Sequence, residues 1–218
     1  MLPERTSPQS LLADDLYLAA HDTVHGKCVL TPATLGLGLS GGLLAELILR
    51  RRVGLRGDRL SLLDPRPTGD IASAAVLGQI EHENRRGVRD WIAYLATGIA
   101  TDLVARRLAK EGKVERHARR GLFGTRLTFI PVDTVTSGRP ATRIRISADR
   151  RELLAVPDIV LTGLVFATGL DQHALIALHP TGRNHLLDQI HRRLPLPLHH
   201  LVGHAEAAVG DAVMARRA

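Results

Sequence analysis

Cysteine is almost missing from this chain: Cys28 stands alone among 218 residues. No disulfide within the chain and no cysteine-built zinc cluster can therefore form, and a lone thiol fits a reducing, cytoplasmic setting. Aromatic residues contribute only 3%, so Leu, Val, Ile and Ala must fill the core. Their scarcity also counts against a single-stranded nucleic-acid interface, which interleaves stacking rings with cations. The opening MLPERTSPQS lacks the apolar core of a secretory leader. The apolar run from Ile159 to Leu178 is interrupted by Asp171, Gln172 and His173, short of the roughly 20 apolar residues that span a bilayer. The expectation is a soluble, cytoplasmic protein that meets membranes, if at all, from the side.

What the chain has is arginine. The formal charge is +7 and the only lysines are Lys27, Lys110 and Lys113. Guanidinium groups fork onto phosphate oxygens, so an anionic lipid surface, a nucleic acid or an acidic protein is the expected kind of partner. Arg50-Arg51-Arg52 and Arg106-Arg107 are the candidate anion-binding clusters. No helix-turn-helix pairing accompanies them, which disfavours nucleic acid.

The organising stretch is Leu35 to Arg52, LGLGLSGGLLAELILRRR. Between Leu35 and Leu49 only Ser40 and Glu46 are polar, and a helix apolar on every side belongs in a core. Gly36, Gly38, Gly41 and Gly42 each cost a helix interior roughly 1 kcal/mol against alanine, so close packing rather than propensity explains them. Thr31-Pro32 reads as a cap followed by a first-turn proline.

Around this helix the pattern predicts a first helix capped at Ser7, a turn at His25-Gly26-Lys27, and a hairpin folded at Gly57-Asp58. A helix capped by Asp70 and one long helix from Val88 to Glu111 come next. A second hairpin from Lys113 to Pro131 follows, then a polar loop from Thr134 to Arg139. Helical character resumes from Pro140, although Arg143 to Ser147 alternates as a strand would. Three further helices are expected: one from Pro157 or Asp158, one capped by Thr181, and one from Leu198 to Met214. The fold class is mainly α: a single compact helical domain over residues 1–218, built on a buried central helix with two small hairpins, residues 1–9 flexible.

Gly36-x-Gly38-x-x-Gly41 matches the dinucleotide fingerprint by letter, but no strand feeds it and no parallel sheet is in prospect. His200 and His204 share a helix face without a third ligand. No nucleophile with a base is apparent. A non-enzymatic protein without metal or cofactor is expected.

Gly38-Leu-Ser-Gly41-Gly-Leu-Leu-Ala-Glu-Leu-Ile-Leu-Arg50, Pro67-Thr-Gly-Asp70, Val88-Arg-Asp-Trp-Ile92 and Leu108-Ala-Lys-Glu-Gly112 occur in the order and approximate spacing of the Golgi phosphoprotein 3 family, which the chain resembles. The resemblance implies a peripheral membrane adaptor that binds phosphatidylinositol 4-phosphate or another anionic head group. It also implies contact with the cytosolic tails of membrane proteins. Leu122 and Phe123 on the second hairpin are then the membrane or homo-oligomer contact. The family's lipid-gripping tryptophan falls at Thr31, one arginine at Ser40, and two more near Gly98 and Thr101. None keeps a side chain that grips a phosphoinositide in the same way. The alternative reading is a cytosolic protein-interaction or regulatory module without lipid.

Overall fold

The computed structural model describes residues 11–22, 25–83, 85–121 and 124–216, the side chains of 119–127 excepted. Ser7, the expected flexible residues 1–9, and Leu122 and Phe123 lie outside the described residues; the first helix begins at Leu12, with Leu11 extended in the cap position, rather than at Ser7.

The expected core helix is α2 (Pro32–Leu49), with Thr31 accepting from the Thr34 N–H and Pro32 in the first turn. It is long and apolar enough to cross a membrane by length and composition, but 78% of it is buried within the protein. It is a core helix, packed by α1 (Leu12–Ala19), α3 (Ile71–His82), α4 (Val88–Leu95), α5 (Ile99–Lys110), α7 (Val156–Ala167) and α10 (Leu196–Met214). Its glycines are where the neighbours come closest. A Cβ on Gly36 would lie 2.7 Å from the Ala96 carbonyl oxygen, and one on Gly42 3.0 Å from Ala13 Cα. On Gly38 it would meet Thr168 and Leu16, and on Gly41 Leu164. The fingerprint glycines thus lie within a helix and face protein. No nucleotide-binding turn forms there.

Both hairpins are present. Strands β1 (Val53–Arg56) and β2 (Arg59–Leu62) pair around Gly57 and Asp58. Strands β3 (Val114–Gly121) and β4 (Gly124–Pro131) pair from Val114 opposite Pro131 to Gly121 opposite Gly124. The chain is mainly helical, with ten helices and two antiparallel strand pairs among the described residues. The remaining helices are α6 (Thr134–Asp149), α8 (Asp171–Ala174) and α9 (Pro180–Arg193).

Two sequence expectations need correction. The long helix from Val88 to Glu111 is two helices, broken at residues 96–98, where Gly98 adopts a left-handed φ of 116° that glycine alone takes without strain. The polar loop at Thr134 is instead the first turn of α6, begun by Asp133, whose carboxylate accepts from the Thr136 N–H at 2.6 Å. The segment reads poorly as helix because of its β-branched residues, Gly138 and the interior Pro140. Burial of Ser137, Pro140, Ile144 and Ala148 along one face overrides propensity, as tertiary packing commonly does. Smaller shifts occur at α9, capped by His179 rather than Thr181, and at α10, which begins at Leu196.

The glycines give a prediction of opposite signs. Gly36→Ala and Gly42→Ala push a methyl into backbone and should cost about 1–3 kcal/mol. Gly210→Ala in α10 meets nothing within 4 Å and should add about 0.5–1 kcal/mol. Thermal melts read both, at about 2–4 °C per kcal/mol for a chain of this size. Equal melting of Gly36→Ala and wild type would contradict close packing as the reason for that glycine.

Candidate functional site

Glu46 is the sequence's own anomaly, a carboxylate in an otherwise apolar helix, and a buried charge requires a partner. The partner is Arg107 from α5, whose guanidinium is 4% exposed. Arg107 donates to Glu46 at 3.0 and 3.1 Å, to Asp14 of α1 at 2.8 Å and to Asp70 ahead of α3 at 2.8 Å. Glu46 also accepts from the Ala13 N–H at 2.9 Å and the Ser73 hydroxyl at 3.1 Å. Arg50 completes the cluster on Asp70 at 2.7 Å. Burial alone would lower the pKa of Arg107, but Glu46 and Asp14 raise it, so it stays charged. Burial likewise pushes the Asp70 carboxyl up, yet the Ser73 N–H, Arg50 and Arg107 outweigh it and hold it at about 2. Asp14 goes the other way: burial prevails over Arg107 and lifts it to about 7. Its Oδ2 has no hydrogen-bond partner among the described residues.

The candidate arginines are therefore distributed unevenly. Arg50 and Arg107 meet over Asp70. Arg52 pairs with Asp64, and Arg106 pairs with Asp102 at 2.9 Å on the exposed side of α5. Arg51 is exposed in a left-handed conformation with a φ of 55°. All of them gather at the C-terminal ends of α2 and α5, which run the same way.

Of the four family positions, three lie at the opposite ends and Ser40 sits midway along α2. Thr31 caps α2, Gly98 caps α5, and Thr101 follows in its first turn. Ser40 is fully buried, its hydroxyl donating to the Gly36 carbonyl at 2.7 Å. With 18 residues in α2 rising about 1.5 Å each, about 27 Å separates its two ends, whereas Thr101 and Arg106 lie within two turns of each other on α5; with Ser40 and Arg107 both buried, the two candidate groups form no single surface site.

Thr101 does line a cleft, of about 680 Å³, between the N-terminal end of α2 and the second hairpin. Leu30, Pro32, Leu35, Phe129 and Ile130 give it apolar walls, and Lys27, His21, His25 and His117 are its basic groups. Among the described residues none of its lining side chains is a carboxylate, although Asp22 lies 3.5 Å from the His25 ring and Glu115 3.9 Å from that of His117. Asp22, just outside, accepts the N–H groups of His25 and Lys27 at 2.6 and 3.0 Å and so shapes the turn that presents both. Tyr17 donates to the Phe129 carbonyl at 2.8 Å, which ties α1 to the hairpin, and burial pushes its phenol pKa up. Burial pushes the His21 imidazole down, leaving it neutral at physiological pH. An apolar slot with a basic rim can hold an anionic group that carries a hydrophobic part.

Sequence reasoning did not find this cleft, because its residues come from four separate segments. The polar pair within α2 was the available signal for the buried cluster.

The cluster makes stability pH-dependent. A carboxyl raised from 3.8 when unfolded to about 7 when folded binds a proton on folding between those values, so Asp14 stabilises the fold at low pH and loses that contribution as pH rises towards 7. Asp70, lowered to about 2, contributes above pH 4 and fails below it. Asp14→Asn should flatten the decline between pH 4 and 7 and match or exceed wild type at pH 8 in urea unfolding. A steeper decline in the variant would contradict the assignment.

The Golgi phosphoprotein 3 (GPP34) family model matches residues 12–215, a span that includes all ten helices and both hairpins. A comparison with curated proteins finds no match. With the match extending over nearly the whole of a mainly helical chain, the protein belongs to the Golgi phosphoprotein 3 (GPP34) family.

Proposed function

We propose that this protein is a non-enzymatic adaptor on the cytoplasmic face of a membrane, held by electrostatic contact with anionic lipid head groups. The observation that carries the reading is the cleft between α2 and the second hairpin, with a carboxylate-free lining and Lys27, His25 and His117 among its basic groups. It lies beside Thr31 and Thr101, two positions that the family uses to grip lipid. Family membership and the net charge of +7 support the same reading. Lys27 supplies a point charge beside positions where the family has arginines, so binding follows membrane charge rather than one phosphoinositide. Each cation near an anionic surface contributes about 1 kcal/mol, enough for reversible docking. Protein tails and a second copy through the hairpin are further partners consistent with the family.

Vesicle flotation tests this. The protein should float with phosphatidylcholine vesicles containing phosphatidylglycerol, float no better when phosphatidylinositol 4-phosphate supplies the same charge, and be released by salt. Lys27→Glu should weaken the partition. Equal recovery with neutral vesicles, or none with anionic ones, would contradict the reading. Retention of an acidic protein from a membrane-free extract would then favour the cytosolic module.

A further inference from the structure

Helix α6 divides cleanly by face. Ser137, Pro140, Ile144 and Ala148 are buried. On the opposite side Val135, Arg139, Thr142 and Ile146 follow one another at intervals of four, three and four residues, so they form one stripe along the helix. Val135 is 69% and Ile146 43% exposed, and Val132 just ahead of the helix is 43% exposed. Gly138 opens the stripe into a shallow groove of about 680 Å³ lined by α6 and no other element. Isolated exposed aliphatics are ordinary on a protein surface. Two on one helical stripe, with a third just ahead of the helix and arginines beside them, are a different case.

The charge of this face is mainly positive, with Asp133 at the start of the helix near enough to Arg139 for the two to interact. Arg139 and Arg145 have no ion-pair partner within 4 Å among the described residues, and neither does Arg151 just beyond the helix. Arg143 is engaged by Asp15 at 2.8 Å and Asp158 at 2.7 Å, and Arg150 lies 3.7 Å from Glu152. Asp149 is the only acidic residue within α6. Apolar side chains centred between arginines whose aliphatic stems can reach upwards are what an interfacial helix offers to an anionic bilayer. Asp133 and Pro131 join α6 directly to β4 of the second hairpin, so both elements can meet one plane.

We infer that the outer face of α6, with Val132, Val135, Arg139 and Ile146 at its centre, lies on the anionic membrane surface beside the second hairpin. This rests on the membrane-docking reading above and adds the face that docks. The apolar residues enter the head-group region, and the arginines meet lipid phosphates.

Flotation with phosphatidylglycerol-containing vesicles separates the two claims. Wild type floats, Val135→Ser/Ile146→Ser loses about tenfold or more of its partition as two aliphatic side chains leave the interface, and Arg139→Ala about fivefold. Met214→Glu on α10, changed at a residue 66% exposed, floats as wild type does. Thermal melts within a few degrees of wild type keep these comparisons among folded proteins. If wild type itself fails to float, the membrane reading falls and this inference with it. If wild type floats and the α6 variants float equally well, the membrane reading stands and the inference is overturned. A wild-type dimer that becomes monomeric in Val135→Ser/Ile146→Ser, seen by light scattering, would overturn it as well, because a second copy would then cover the stripe.

Discussion

One guanidinium, buried at the meeting point of four helices, constrains the rest of this molecule. Arg107 reaches from α5 to carboxylates on α1, on α2 and at the start of α3. Each of these charges would be costly alone in the core, and together they are tolerable only because the geometry satisfies nearly every polar atom. Three carboxylates face two guanidiniums, Arg107 and Arg50, which leaves one negative charge in excess. The least satisfied member, Asp14 with its unpartnered Oδ2, carries that excess and takes up a proton near neutrality. The network therefore fixes how four helices meet and leaves one proton to vary.

The glycines of α2 are the steric side of the same arrangement. Gly42 brings the α1 backbone against α2 at Ala13, the residue whose N–H reaches Glu46. A side chain at Gly42 would separate the two helices and draw Asp14 away from Arg107. Close approach and charge pairing are thus two requirements on one contact, and neither is met without the other.

This explains what was legible in the sequence. The central helix declared itself through uniform apolarity and a Thr-Pro start, the first hairpin through alternation around Gly57 and Asp58, and the second through a loss of helical period between Lys113 and Pro131. Gly98 was visible as a residue, but a glycine inside a helical pattern does not reveal that it will adopt a positive φ. The start of α6 was hidden by Gly138 and Pro140, since local propensity speaks against helix there and only the buried face that continues to Ile144 reverses it. Paired arginines read as outward charge, because sequence does not say that Asp14, Glu46 and Asp70, far apart along the chain, converge on one of them. The cleft was hidden for the same reason: Lys27, Thr101 and His117 become neighbours only in three dimensions.

The arginine excess thus has two destinations. Arg50, Arg52 and Arg107 are engaged by carboxylates within the fold, while Arg139, Arg145 and Arg151 make no ion pair within 4 Å among the described residues. A membrane reading depends on the second group, and the fold that presents it depends on the first. The most direct test is the free energy of unfolding of Arg107→Met at pH 8, from urea titration. Removing the guanidinium leaves buried carboxylates unpaired and should cost roughly 3–5 kcal/mol or prevent folding altogether. An unfolding midpoint equal to that of wild type would contradict the account.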